Sequence, residues 1–436
     1  MKPQQILESA LKHAEGAEVF HIRHKEEPAV FEANRLKRLE SLESSGIALR
    51  IIKNGRIGFS STTDQQDARS LIANAVEMAP FGPKAWLKLP DQQQYPRVMV
   101  NDHKMASIQM DDMVHLGQGM IDRVVKHTSK LVCSAKVVRE TTAISIYNGC
   151  GCEANYTKTT FSAGIEGVLV DGTDMLFVWD AEASCHPITD TTRVTDSIIR
   201  QLELSRRIVP APAGDIPVLF LPDAIAEGLV QPLQMGLNGR LVLQGASPLV
   251  GKLGNKMLDK KLSLYDDPTL AYIPGSRKCD DEGVPSRRLA LIEKGVITSF
   301  YYDLQTAAQA GALSTGSAHR NLATMPTPGA SVLLFSEGDA SEEAMIRGIK
   351  RGLVVEHLLG AGQSNVQGGE FSANVLLGYL VENGRIKGRV KDTLISGNVY
   401  TVLSQIRAIG NKARWVGGSL KTPPFLCEGV AVASKS

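Results

Sequence analysis

Cysteine is scarce in this chain: six residues in 436 (Cys133, Cys150, Cys152, Cys185, Cys279 and Cys427) are too few for a disulfide framework and fit a reducing cytoplasm. Aromatic residues make up only 5%, and charge of neither sign dominates: 48 basic against 46 acidic residues leave a net charge of +2. That balance supplies no attraction to a polyanion, so neither nucleic acid nor an anionic membrane surface is an expected partner. No apolar run reaches the roughly 20 residues that would span a bilayer. The opening MKPQQILESALKHAEG is not a signal peptide, because Glu8, Lys12 and His13 interrupt its apolar residues in the manner of an amphipathic helix. What remains, 43% hydrophobic and 22% charged, is ordinary globular composition. The length allows two or three domains at about 100–200 residues each.

Along the chain, a helix near 3–15 leads into AEVFHIRHKEEPAVFEANR, which alternates as strands do. GIALRIIKNGRIGFSSTT (46–63) reads as a hairpin around Asn54-Gly55, the pair a tight I′ turn prefers. Helices are expected over 65–79, 109–128 and 189–207. Between the first two lies PFGPKAWLKLPDQQQYP (80–96), whose four prolines suit a linker or an extended arm. A strand meander fills 131–184, with turns at Asn148-Gly149 and Asp171-Gly172. The Pro/Gly-rich joint at 209–217 is the best domain boundary. It separates 1–208, with any further split into subdomains near 80–105, from 209–436. Beyond it hairpins dominate, around Lys294-Gly295 and Asn383-Gly384, and glycine is dense from 310 to 418. Helices are expected there only over 222–238, 304–311 and 341–351. Regular βαβ alternation is missing, which argues against a doubly wound parallel sheet. The expected class is α+β: an N-terminal domain built on a mixed sheet, then a β-rich, hairpin-dominated C-terminal domain.

Individual motifs carry little chemistry. His21 and His24 lie i,i+3 in a strand-like stretch, which sends them to opposite faces and argues against a shared metal. Cys150 and Cys152 flank a turn with no second Cys/His pair, so a hairpin corner is preferred over a metal or redox pair. His357, after Glu356 and an apolar run, reads as a hydrogen-bonded structural residue, whereas His319 sits in a polar, glycine-rich loop of the kind that carries function. GAGQSNVQGG (360–369) lacks the Lys-Ser/Thr of a phosphate loop. In CDDEGVPSRR (279–288) the acids are expected to pair with Arg287 and Arg288 across the turn, ahead of binding a cation or a peptide amine.

Three longer segments, in order, resemble the TldD/PmbA family, whose members are labelled modulators of DNA gyrase and classed as peptidases. They are DDEGVPSRRLALIEKGVITSFYYD (280–303), STGSAHRN (314–321) and GLVVEHLLGAGQSNVQGGEFSANVLLGYLVENGRIKGRVKDTLISGN (352–398). RLESLESSGIALRIIKNGRIGFSSTTD (38–64) adds a weaker match. The resemblance implies a heterodimeric peptidase for unfolded or extended peptides. In it the TldD-type subunit holds zinc through an H-E-x-x-x-H helix and a C-terminal cysteine, and the PmbA/TldE-type subunit lacks those ligands. No H-E-x-x-x-H occurs in this chain. Matching GLNG (236–239) and SPLVGKLG (247–254) to the residues after the family's zinc helix puts Val230 at the first histidine, Gln231 at the glutamate and Met235 at the second histidine. Cys427 matches the third ligand. Valine has no donor, a glutamine amide is a poor base and a thioether is a soft ligand for zinc.

The chain is therefore expected to be the PmbA/TldE-like, cytoplasmic subunit, with no catalytic residue and no metal of its own. Zinc is expected on a TldD-like partner, and the assembly is a heterodimer or a self-paired homodimer. Its task would be to hold an unfolded peptide by β-strand addition, with His319, Arg320, Asn321, Gln363, Glu370 and Phe371 lining the groove. The alternatives are a homodimeric peptide-binding scaffold and a hydrolase using Cys427 as nucleophile.

Overall fold

The computed structural model describes residues 2–64 and 67–434; the first two residues of the helix expected over 65–79 lie outside them. After α1 (Pro3–Ala10) come β1 (Gly16–Glu32), β2 (Arg35–Leu39), β3 (Leu42–Lys53), β4 (Arg56–Thr62), α2 (Ala68–Met78), α3 (Met110–His127), β5 (Val132–Asn148), β6 (Glu153–Asp171), β7 (Asp174–Ser184) and α4 (Thr192–Leu204). The seven strands form one sheet in the order β4-β3-β1-β5-β6-β7, with β2 hung on β1. Period-2 alternation puts Val19, Leu49 and Ile51 under α1 and α2. It puts Phe31, Val137 and Phe161 under α3 and α4 on the same side of the sheet. Asn54 and Gly55 join β3 to β4 with φ of 51° and 68°, the two left-handed residues of a I′ turn. Lys294-Gly295 and Asn383-Gly384 repeat that geometry.

The α+β class is as expected. One detail of the N-terminal sheet differs: every strand pair in it is antiparallel, not mixed. The reason is that its strands arrive as two hairpin runs, β1–β4 and β5–β7, joined where β1 meets β5. Among the described residues the parallel strand pairs lie in the C-terminal sheets.

There, β8 (Gly214–Asp215) and β9 (Val218–Phe220) join Arg351–Leu359, Glu370–Glu382, Arg385–Arg389, Thr393–Asn398, Ile406–Ile409, Phe425–Cys427 and Ala431–Ser434 in a nine-stranded sheet. It is buried on both faces. Leu219, Val354, Tyr379 and Leu426 pack against α3 and α4. Phe220, Val355, Phe371 and Cys427 pack into a second core with the helices after β9 and a six-stranded sheet. Double burial is why GLVVEHLL is apolar without alternation.

The helix expected over 222–238 is broken into α5 (Pro222–Ala224), a π-helical turn Ile225–Val230, and α6 (Gln231–Gly236), with α7 (Gly239–Leu243) following. Pro232 explains the break. It has no N–H for the usual i→i−4 bond, and the wide turn placed immediately before it absorbs the loss. Asn238 then caps α7, its side chain accepting from the Arg240 and Leu241 N–H groups. Further on, α8 (Leu304–Ala310) is capped by Asp303 and stopped by Gly311 at φ 64°.

Candidate functional site

α6 and its approach carry the positions matched to a zinc motif. Val230 is half-buried against the C-terminal core, Gln231 is exposed and Met235 is half-buried. The Gly360–Phe371 loop folds over this helix. A Cβ at Gly362 would lie 2.9 Å from Gln231 Oε1, and Gln367 Nε2 donates to the Ala246 carbonyl at 3.2 Å. Gly236 admits Tyr400, whose Oη would sit 1.8 Å from a Cβ there. As a zinc donor set these residues fail on chemistry: one hydrocarbon, one neutral amide and one thioether. Cys427 is fully buried at the end of a short strand, Phe425–Cys427. Burial pushes its thiol well up, and Glu428 and Asp259 push it in the same direction. A buried thiol held in its neutral form is a poor nucleophile, so these surroundings give the reading of Cys427 as a nucleophile no support.

Of the expected groove residues, three are structural. His319 Nε2 lies 2.9 Å from Arg277 Nη2 and 3.2 Å from Ser331 Oγ. Burial, then the charges of Arg277 and Lys158, hold the imidazole well below its usual pKa and therefore neutral. Arg320 has its side chain fully buried, pairs with Glu18 and stacks on Phe20 at 4.5 Å. Phe371 is 1% exposed and meets Phe220 edge-to-face at 6.3 Å. Arg320 and Phe371 are closed to a peptide because each fills or satisfies the interior, and the half-buried His319 has its ring engaged by Arg277 and Ser331. Asn321, Gln363 and Glu370 are exposed.

The acidic turn also departs from expectation. Asp280 accepts backbone N–H groups of Glu282, Val284 and Ala318 at 2.9–3.0 Å. Asp281 pairs with Arg277 at 3.5 Å, and Glu282 with Arg50 at 2.5 Å. Arg287 instead donates to the Ser314 carbonyl, and Arg288 lies over the Tyr265 ring. The turn faces inward, where Asp281 meets the nearby Arg277 and Glu282 meets Arg50 of the distant strand β3. Glu18, Arg50, Glu282 and Arg320 form a chain of buried ion pairs that fastens the N-terminal sheet to residues 280–320. Burial alone would raise Glu18, but Arg320 and Arg50 more than offset it and hold the carboxyl below its usual value.

Beside this fastening lies a cleft of about 890 Å³, walled by both halves of the chain. Ile57, Phe59 and Phe81 form one side; Arg240 and Leu243 of α7 and Met325 form the other. Phe81 is 83% exposed, an unusual state for a large apolar ring. Strand β4 is an edge of its sheet. Residues 84–85 cover its start, through Arg56↔Lys84 and Ala85 N–H to the Gly55 carbonyl. Among the described residues the outer side of Gly58–Thr62 has no backbone partner. The proline-rich arm at 80–96 is held by Gln305, which accepts from the Trp86 and Leu87 N–H groups. Sequence reasoning missed this cleft. Its one available signal was the cluster of Met78, Phe81 and Trp86 in a segment expected to be exposed.

A second cleft, about 840 Å³, lies between α4, β7 and the C-terminal sheet. Its arginines are matched by acids: Arg193 by Asp180 and Glu182, Arg200 by Glu342 and Glu356, Arg414 by Asp180 and Asp223. His357 lies behind it, 3.2 Å from Glu227 of the π-helical turn and stacked on Trp179 at 4.8 Å, so the structural reading of this histidine fits its surroundings. Neither cleft is lined by Val230, Gln231, Met235 or Cys427.

Comparison with known proteins places these features. Residues 213–434 match the model of the PmbA/TldA metallopeptidase C-terminal domain, and residues 17–79 match domain 1 of the same family. An uncharacterized protein of Methanocaldococcus jannaschii is 23% identical over 93% of this chain and 94% of its own. A metalloprotease of Methanothermobacter thermautotrophicus is 25% identical over 87% and 84%. The crystal structure of TldE from Thermococcus kodakarensis superposes with a TM-score of 0.88 over 99% of both chains, at 23% identity, a likeness of fold.

Proposed function

The chain belongs to the PmbA/TldD metallopeptidase family, and from that premise we propose that it is the zinc-free, TldE-like subunit of a two-chain peptidase. What supports the reading is chemical: the chain contains no H-E-x-x-x-H, and the sequence match puts Val230, Gln231 and Met235 at the positions of a zinc helix's two imidazoles and carboxylate. Zinc on a TldD-like partner would supply the hydrolytic chemistry. This chain would complete the assembly and hold an unfolded peptide.

The cleft between β4 and α7 is the proposed holding site. An extended segment laid along Gly58–Thr62 would take main-chain hydrogen bonds from an edge strand whatever its side chains, and Phe59, Phe81 and Leu243 would receive apolar residues. Five strand residues offer about 17 Å of edge. What supports this site over the loops at 319–321 and 360–371 is access. It combines an unpaired edge with exposed apolar side chains, and α7 follows directly on the helix that bears the vacated motif.

The test is isolation of the tagged chain from its native organism, with identification of what co-purifies in near-equal amount. A chain carrying H-E-x-x-x-H, and peptide cleavage only when both chains are present, is the expected result. Recovery of this chain alone, as a homodimer with no cleavage on adding a TldD-like chain, would overturn the reading.

A further inference from the structure

The long strands β1 and β5 carry a group of side chains that the peptidase reading does not use. Glu26 and Glu140 stand directly opposite each other across the β1–β5 ladder, and His24 lies two residues before Glu26 on the same face. One donor atom from each of the three lies within 4.8 Å of the others, and all three residues are half-buried. Like charges placed directly opposite in a sheet repel. On the other face, Glu27 is matched by both Lys25 and Arg139. On this face the one ammonium serves a single carboxylate: Lys136 reaches Glu26 at 3.0 Å. Among the described residues the Glu140 carboxylate has neither hydrogen bond nor ion pair. Lys158, the other amine near this row, is committed to the Pro274 carbonyl at 2.7 Å.

We propose that His24, Glu26 and Glu140 bind one divalent first-row transition-metal ion that clamps β1 to β5. Two oxygens and one imidazole nitrogen suit such an ion better than calcium or magnesium, which take oxygen alone. Metal–ligand distances of about 2.0–2.2 Å need donors within about 4.4 Å, so small side-chain rotations close the set. The Thr142 hydroxyl holds His24 Nδ1 at 2.9 Å and leaves Nε2 for the ion, the outer-shell arrangement that orients metal-bound histidines. Bound metal would displace the Lys136 ammonium from Glu26. The site lies apart from the vacated zinc helix and stands or falls separately from the peptidase reading.

The probe is Mn²⁺, which avoids the exposed thiol of Cys150. It is titrated into the chelator-treated full chain and followed by the loss of its free-ion paramagnetic resonance signal. About one equivalent should bind. H24Q and E140Q should each weaken binding at least about tenfold. K136M, which keeps all three donors and removes the competing ammonium, should tighten it several-fold. No binding at millimolar Mn²⁺, undiminished binding in the H24Q/E140Q double variant, or weaker binding in K136M would each overturn the proposal.

Discussion

Replacing Arg320 with methionine separates a residue that touches substrate from one that holds the two halves together. In the native chain the guanidinium lies against Glu18 and the Asp281 carbonyl and over the Phe20 ring, with its side chain fully buried. Methionine keeps much of the volume and removes every donor. Glu18, itself fully buried, would then share Arg50 with Glu282, leaving two carboxylates on one guanidinium. Removing one partner of a buried pair costs about 3–5 kcal/mol. With an m-value of about 3 kcal/mol/M or more, the urea midpoint should fall by about 1 M. Adding E18Q to R320M should recover part of that loss, because the orphaned charge disappears with its partner. The linkage has a definite sign. Glu18 is held below the usual 4.5 of a glutamate, so its contribution is complete above that pH and is lost as pH falls through the folded value. The acid limb of the stability curve should therefore flatten in R320M/E18Q. An unchanged urea midpoint combined with a raised KM for peptide would refute this reasoning and return Arg320 to the groove.

Other perturbations test other parts of the structure. Only Cys150 of the six cysteines is exposed, so mild alkylation of the native chain should add one adduct by mass and denaturation should expose the rest; native labelling of Cys427 would contradict its burial. G236A places a methyl group against Tyr400 Oη and should cost about 1–3 kcal/mol in chemical denaturation, with no loss if the α6–Tyr400 contact is not made in solution. L243E, on the exposed rim of the cleft, should raise the KM of the two-chain peptidase about tenfold or more while leaving assembly by size-exclusion chromatography unchanged; an unaltered KM would remove this cleft from substrate binding.

Local physics made much of this molecule readable from its order of residues. Asn54-Gly55, Lys294-Gly295 and Asn383-Gly384 announce their turns because few dipeptides tolerate two left-handed residues. The long alternations of β1, β5 and β6 announce strands because a half-buried sheet demands period two. The lack of an H-E-x-x-x-H string is also a property of sequence, since it is present or it is not. Other features depended on how distant segments meet. Which residues of the STGSAHRN loop would be free was undecidable without knowing that Glu18 and Asp281 claim Arg320 and that Arg277 and Ser331 claim His319. The partner of Glu282, Arg50, lies on β3, some 230 residues away in the chain. His24 and Glu26 acquire a third donor only because β1 and β5 pair in the one register that sets Glu140 opposite Glu26. Turns, strands and missing donors are decided within a few residues by backbone sterics and side-chain chemistry. Charge pairing, access and the cleft are decided by long-range packing, which no local pattern encodes.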